Sequence, residues 1–370
     1  MKIIITGGGT GGHIYPGISL AKEFQNRDKK NEIIFVGTST GMEADIVPRE
    51  GYEFASLKVK GIKREICLDN IYAIFLFLGS LFNSFKLIKK IKPDLVIGTG
   101  GYVSGSISLM SALSGVPVFI HEQNALPGIT NKALSIFSRI VFTSFPESEQ
   151  YFWKKKKVVY TGNPVRKSIW NGDRKNIISK EKMSYNKKTI LVFGGSKGAN
   201  AISQVFLNCI DLIDDLSFNK WQVLLISGRE DYSNMLDKIK FSKHKASIYI
   251  TPYIYNMEDA YDLADLVICR SGATTIAELT AVGLPSILIP YPYATGNHQM
   301  YNAMYLKNKQ AAVVIAQQEL SEKRLAEEIS KFLLDNEVLS EMAENSRKAG
   351  NRNTAKEIID LIYNNIKKEV

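Results

Sequence analysis

Lys2-Ile3-Ile4-Ile5-Thr6-Gly7-Gly8-Gly9-Thr10-Gly11-Gly12-His13 opens the chain, and Thr189-Ile190-Leu191-Val192-Phe193-Gly194-Gly195-Ser196-Lys197-Gly198-Ala199 repeats its plan in the second half. Each is a short apolar strand that runs straight into a glycine loop, and each loop leads into a helix-like stretch. Glycine lets the backbone come close to a ligand. The helix behind it aims unpaired N–H groups and a positive dipole end at an anion. The chain has 370 residues, and at roughly 100–200 residues per domain two such units predict two domains facing each other, with a phosphorylated ligand between them.

Outward from these loops, strand-like runs alternate with helix-like stretches, the pattern of a parallel sheet flanked by helices. The runs are 2–6, 32–36, 94–97, 116–120 and 139–143 in the first half, and 189–193, 222–226, 247–250, 265–268 and 285–289 in the second. Gly115-Val116-Pro117 and Gly283-Leu284-Pro285 each close a helix with glycine and open a strand with proline, so one α/β architecture is used twice. Gly162-Asn163-Pro164 breaks the first half, which gives domains over 1–162 and 163–353. The polar stretch 171–188, rich in lysine and asparagine, reads as a loop or linker. Residues 354–368 read as a terminal amphipathic helix capped near Thr354.

The formal charge is +10, which suits nucleic acid, an anionic membrane or an anionic small molecule. No nucleic-acid-binding module is legible, so nucleic acid is not an expected partner, and the Lys154–Lys157 run reads as a solvated loop. Cys67, Cys209 and Cys269 are scattered, which argues for a reducing compartment and against a disulfide frame or zinc site. Only three aliphatic residues follow Lys2 before the glycines, too few for a signal core of roughly 7–15, so no secretory leader is expected.

Residues 71–88 carry two apolar faces. Ile71, Ile74, Phe75, Leu78, Leu81, Phe82, Phe85 and Ile88 form one, while Tyr72, Ala73, Leu76 and Phe77 form another, and Lys86, Lys89, Lys90 and Lys92 accompany or follow them. The run is short of the ~20 residues a bilayer requires. Two readings stay open: a helix buried on both sides, or one whose outer face dips into an anionic membrane.

Gly7-x-Gly9-x-x-Gly12 matches the dinucleotide fingerprint, but the second strand ends Phe35-Val36-Gly37-Thr38 without the acidic residue that would hold a ribose. Gly194–Gly198 lacks the Gly-Lys-Ser/Thr ending of a Walker A loop. A third glycine loop, Gly98-Thr99-Gly100-Gly101-Tyr102-Val103-Ser104-Gly105, suggests a second anion subsite in the first half. Cys269-Arg270-Ser271-Gly272-Ala273-Thr274-Thr275-Ile276-Ala277-Glu278 follows a strand. A diphosphate at that helix start, a ribose held by Glu278 one turn past Thr274, and the charge of Arg270 fit the spacing. His13, where the first loop enters its helix, is the first candidate for a general base. His121-Glu122-Gln123-Asn124 lies after a strand, at the sheet end where ligands bind, and Glu122 is the second candidate. No Asp-x-Asp pair or His/Cys cluster points to a metal.

In this order, Gly8–His13, Gly98–Gly105, His121–Asn124, Pro127-Gly128, Gly162–Arg166, Gly194–Ala199, Cys269–Glu278 and Asn297-His298-Gln299 with Asn302 resemble the MurG family, the cell-wall glycosyltransferases that make lipid II. The resemblance covers nearly the whole chain. It implies a GT-B fold of two Rossmann-like parallel-sheet domains facing across a cleft, with helix 354–370 packing back on the first domain. It implies inverting transfer of N-acetylglucosamine from its UDP donor to the 4-hydroxyl of muramic acid in lipid I, an undecaprenyl-diphosphate-linked muramyl peptide, without a cofactor. Carried over, Ile254 meets uracil, Glu278 the ribose, Ser196 with Arg270, Ser271, Gly272, Ala273, Thr274 and Thr275 the diphosphate, Arg166 the nucleotide, and Gln299 the sugar. Thr10, Gly11, Gly12 and Asn124 reach the donor sugar. Gly9, Gly100, Gly101 and Tyr102 hold the acceptor diphosphate. The resemblance also implies a peripheral place on the cytoplasmic face of the inner membrane, through 71–82 with Lys86, Lys89 and Lys90, beside wall-synthesis and division proteins.

Some relatives carry two glutamines where this chain has His298-Gln299, so the role of His298 stays open. The rival readings are a GT-B enzyme acting on another lipid such as diacylglycerol, a UDP-sugar epimerase, and a sugar-nucleotide-binding membrane adaptor. A Rossmann dehydrogenase is the weakest, for want of the ribose acid.

Overall fold

The computed structural model describes residues 1–59, 68–194, 200–214 and 218–367, with side chains from 76 onward in the helix Leu68–Ile91. The chain divides into two compact units, Met1–Arg166 with Arg352–Val370, and Lys167–Asn351.

The first unit is built on seven strands: β1 (Lys2–Gly7), β2 (Glu32–Gly37), β3 (Glu53–Ser56), β4 (Leu95–Gly100), β5 (Val118–Glu122), β6 (Ile140–Thr143) and β7 (Val158–Tyr160). They pair in parallel in the order β3-β2-β1-β4-β5-β6-β7. The central strands are continuous runs of isoleucine, valine and phenylalanine because both faces of a parallel sheet are covered. Ile3, Ile5, Ile97 and Phe119 face one core layer, and Ile4, Val96 and Ile120 face the other. Strand order reverses between β1 and β4, so the loops that leave those two strands emerge side by side.

The second unit repeats the plan. Its strands are β8 (Lys188–Phe193), β9 (Trp221–Ile226), β10 (Ile248–Thr251), β11 (Leu266–Cys269), β12 (Ser286–Leu288) and β13 (Ala312–Val314), all parallel in the order β10-β9-β8-β11-β12-β13. The reversal falls between β8 and β11, the strands ahead of Gly194 and Arg270. Helices before Gly115 and Gly283 end as the sequence predicts, with both glycines in the left-handed region at φ +80° and +79°.

Three departures have physical causes. The strands β3, β7 and β13 carry no long apolar run because each lies at a sheet edge, where half the strand meets solvent. The stretch 171–188 is not only linker, because Arg174–Glu181 is a helix. Asp173 caps it by accepting the Lys175 N–H at 3.0 Å, and Asp259 accepts the Asp173 N–H at 2.8 Å and the Asn176 amide at 3.0 Å. Ile177 and Ile178 are its buried anchors, too few to register as periodicity. The third departure concerns Leu68–Ile91. Ile88, Ser80 and Ser84 are buried, while Leu78, Phe82 and Phe85 are exposed at 55%, 59% and 38%. Those four apolar residues therefore do not share one buried face, and the helix is not covered on both sides. Ile71, Ile74 and Phe75 lie outside the described side chains.

The terminal helix Thr354–Lys367 belongs to the first unit. The Thr354 hydroxyl donates to the Thr161 carbonyl at 3.0 Å. Ile358, Ile359 and Ile362 enter the same core as Phe24, Ile18 and Ile3. Ile359→Ala is expected to lower the unfolding free energy by ~3 kcal/mol in urea titration. A loss under about 1 kcal/mol would mean that the helix is not seated there.

Candidate active site

In the first unit, the loops after β1 and β4 touch through their backbones. The Gly8 N–H donates to the Gly100 carbonyl at 3.3 Å. A Cβ on Gly101, at φ +85°, would stand 2.7 Å from the Gly8 carbonyl oxygen, so only glycine permits the approach. Glu43 braces the first loop from below. Its buried carboxylate accepts the Gly9 N–H at 3.0 Å and the Thr38 N–H and hydroxyl at 2.9 and 2.7 Å. Burial pushes its pKa up, but these donors together outweigh burial and hold it below the ordinary value of 4.5. The Gly8 and Gly9 amides are thus committed inside the protein. The N–H groups of Gly11 and Gly12 lie at the loop's mouth, in the first turn of the helix Gly11–Arg27, whose N-cap is the extended residue Thr10.

His13 sits in that first turn. Its ring lies against Gly100, where a Cβ would be 2.7 Å from Nδ1 and 2.8 Å from Cε1. Its Nδ1 is 2.9 Å from Gln123 Oε1. Gln123 Nε2 is 2.9 Å from His121 Nδ1 and donates to the His121 carbonyl at 3.0 Å, and His121 Nε2 is 3.1 Å from the Gly162 carbonyl. His121 is fully buried. Burial lowers its pKa to about 4, against the opposing pull of the Gly162 carbonyl and with a smaller push from His13.

Glu122 is turned to the protein. Its carboxylate accepts the N–H groups of Asn124 and Gly128 at 2.9 and 3.1 Å and the Asn131 amide at 2.8 Å. That engagement braces the turn carrying Asn124 and commits both carboxylate oxygens to donors within the protein. Tyr102, 54% exposed, opens the helix Tyr102–Leu113 directly after Gly101. The Arg166 guanidinium lies 4.9 Å over the ring of Tyr15, which itself flanks Gly11.

In the second unit, the segment after β11 leads into the helix Ala273–Val282, with Gly272 as its N-cap. The amides of Ala273, Thr274 and Thr275 occupy its first turn, where an α-helix leaves N–H groups unpaired. The Thr274 hydroxyl is buried with no protein partner. Glu278, on the same face one turn on, accepts the Tyr261 hydroxyl at 3.0 Å, and Tyr261 meets Phe193 edge-on at 6.2 Å. Ile254 is buried in the segment between β10 and the helix Met257–Leu263. Two expected phosphate ligands are turned inward. Ser271 is fully buried and donates to the Gln299 carbonyl at 2.8 Å. Arg270 Nη1 donates to the carbonyls of Ile289 and Pro290 at 3.1 and 3.3 Å, and its guanidinium stacks 5.3 Å from the Tyr291 ring. Gln299 Oε1 accepts the Tyr291 N–H at 2.9 Å, which leaves its NH2 to donate elsewhere. His298 Nδ1, 2.8 Å from the Thr295 carbonyl, ties down the turn ahead of its own helix. Ser196 lies outside the described residues. Glu43 and Tyr261 sit in no motif, so nothing in the sequence marks them, and Gln123 lies in the His121–Asn124 run with no role legible there.

Two parallel α/β units of this topology, each presenting a helix start where its strand order reverses, define a protein of two Rossmann-like domains. Residues 3–143 match the glycosyltransferase family 28 N-terminal domain and residues 189–362 its C-terminal domain. A transferase of Thermoanaerobacter sp. (strain X514), named UDP-N-acetylglucosamine–N-acetylmuramyl-(pentapeptide) pyrophosphoryl-undecaprenol N-acetylglucosamine transferase, is 43% identical over 98% of this chain and 99% of its own. The transferase of the same name from Ruminiclostridium cellulolyticum is 41% identical over 98% of this chain and 99% of its own. The crystal structure of Acinetobacter baumannii MurG superposes with a TM-score of 0.80 at 27% identity, covering 98% of this chain and 99% of that one. The chain belongs to this MurG family of GT-B glycosyltransferases. A UDP-GlcNAc 2-epimerase from Neisseria meningitidis, with a TM-score of 0.70 at 14% identity over 98% of this chain and 100% of its own, shares the fold.

The buried imidazole makes one solution prediction. His121 titrates at about 4 in the folded chain and 6.5 as its ordinary value, so between those values the unfolded chain binds the extra proton. Stability is therefore lost as pH falls from 6.5 toward 4, by ~3 kcal/mol from this group. In an NMR titration the His121 ring is expected to stay neutral down to about pH 5. A midpoint near its ordinary value would contradict the buried geometry.

Proposed function

We propose that this chain transfers N-acetylglucosamine from UDP-N-acetylglucosamine to the 4-hydroxyl of muramic acid in lipid I, forming lipid II. The observation that carries this is 43% identity over 98% of the chain to a transferase of that name, with the first-turn amides and Glu278 present in one unit and His13 in the other. The second unit binds the donor. The amides of Ala273, Thr274 and Thr275 and the Thr274 hydroxyl receive the diphosphate together with Ser196. Glu278, held by Tyr261, takes the ribose hydroxyls, and Ile254 offers its backbone to uracil. The Gln299 NH2 reaches the sugar. Arg270 and Ser271 act indirectly, by fixing the segment ahead of the helix.

In the first unit, Gly11 and Gly12 present amides to a phosphorylated or sugar ligand, with Tyr102, Asn124 and Arg166 around them. The acceptor oxygen attacks the anomeric carbon as the bond from that carbon to the diphosphate breaks, so the configuration inverts. The hydroxyl proton passes to His13 Nε2. UDP leaves, and its growing charge is stabilised by the helix-start amides. Removing a general base costs ~10²–10⁴-fold. Transfer of radiolabelled N-acetylglucosamine to lipid I in detergent micelles is expected to fall by that order in His13→Ala. No labelled lipid with the native chain would sink the reaction, and full activity in His13→Ala would sink the base.

The lipid acceptor calls for a membrane seat. Leu78, Phe82 and Leu113 are exposed, and Lys86 and Lys89 lie over the rings of Phe82 and Phe85 at 4.3 and 5.6 Å. Apolar side chains flanked by lysines suit an anionic surface. Among the described residues no helix is long and apolar enough to cross a membrane. We propose peripheral attachment at the inner face of the cell membrane, beside the other proteins of wall synthesis. Leu78→Asp with Phe82→Asp is expected to abolish sedimentation with phosphatidylglycerol vesicles. Unchanged sedimentation would move the seat elsewhere.

A further inference from the structure

We infer that Gln123 is a positioning residue that fixes the tautomer of His13, with a proton on Nδ1 and a bare lone pair on Nε2. The inference rests on the proposal that His13 is the general base, and it deepens that proposal by saying which nitrogen acts and what sets it.

The chain of donors has one possible direction. It starts at the Gly162 carbonyl, which can only accept, so His121 Nε2, 3.1 Å away, carries the hydrogen. His121 is fully buried and neutral, so its Nδ1 carries the lone pair and must receive a hydrogen bond. Gln123 supplies it from Nε2 at 2.9 Å, and the second amide hydrogen goes to the His121 carbonyl at 3.0 Å. Both hydrogens on the amide nitrogen are then used, and the amide orientation is set. Gln123 Oε1 faces His13 Nδ1 at 2.9 Å and can only accept, so Nδ1 carries the hydrogen. In a neutral ring the remaining nitrogen, Nε2, is the base.

The reverse direction fails at both ends. Rotating the Gln123 amide would set its oxygen against the His121 carbonyl. It would also require a hydrogen on His121 Nδ1, which leaves the lone pair of Nε2 aimed at the Gly162 carbonyl. Both clashes lie among buried groups, where unpaired polar atoms are costly. Gln123 itself is 1% exposed and its bonds to His121 are buried, so water does not compete for them. The ring of His13 is seated against Gly100, with no room for a Cβ between them.

The chain has only four histidines, so its ring-nitrogen spectrum is tractable. In the full-length protein labelled with 15N-histidine, at alkaline pH, His13 is expected to show a protonated Nδ1 and a pyridine-like Nε2, and His121 the reverse. In Gln123→Met the His13 tautomer is expected to shift toward Nε2–H. Its kcat in lipid I glycosylation should fall by ~10²-fold, within the range of a general base, with the KM for either substrate little changed. A His13 ring that carries its hydrogen on Nε2 in the native protein overturns the inference, and that measurement does not depend on the variant folding. So does a Gln123→Met variant that loses the tautomer and keeps its kcat. Transfer that survives His13→Ala removes the base reading instead, with the tautomer result standing by itself.

Discussion

Backbone crowding between the loops after β1 and β4 is the constraint on which the first unit depends. Strand order reverses there, so both loops leave the sheet together, and a Cβ on Gly101 would stand 2.7 Å from the Gly8 carbonyl. Close approach places Gly100 under the ring of His13. It also obliges the first loop to find partners for its own amides, which it does at Gly100 and Glu43. The anion-binding capacity of a glycine loop is therefore narrower than its composition suggests. Two of its amides hold the protein together, and the first turn of the helix behind it faces outward.

The second unit meets the same topological demand with different chemistry. Its polar residues ahead of the helix Ala273–Val282 are buried and bonded to carbonyls: Ser271 to Gln299, Arg270 to Ile289 and Pro290. Burial lowers the Arg270 pKa, with Tyr291 pulling the other way. A guanidinium in such a place serves rigidity, because charge-assisted bonds to two carbonyls fix the segment that aims the helix start. What the helix start offers an anion is its first-turn amides and the unpartnered Thr274 hydroxyl, and in the proposed reaction such preorganised donors need no rearrangement as charge grows on the diphosphate.

Much of the fold was legible because buried parallel strands are continuous apolar runs, and Ile3–Ile5 or Ile190–Val192 admit little else. The edge strands β3, β7 and β13 were not, since half of each meets water and no pattern is imposed. The helix Arg174–Glu181 escaped because it is anchored by two isoleucines and by Asp259, 83 residues from Asn176. The site shows the same division. Motif residues that present backbone, such as Gly11 and Ala273, could be read from glycine and small-residue runs. Partners that hold them could not. Glu43 is separated by 34 residues from Gly9, and Tyr261 by 17 from Glu278. The direction of the Gln123 bonds depends on Gly162, which precedes no chemistry of its own.

In the proposed reaction the two units divide the labour: Glu278 and the helix start hold the nucleotide, and His13 takes the proton. Calorimetric titration of UDP-N-acetylglucosamine into the native chain, Glu278→Ala and His13→Ala separates the two. Loss of a charged hydrogen-bond partner predicts donor binding weaker by ~10-fold or more in Glu278→Ala and unchanged in His13→Ala. Donor binding that survives Glu278→Ala but is lost in His13→Ala would contradict the division and the site built on it.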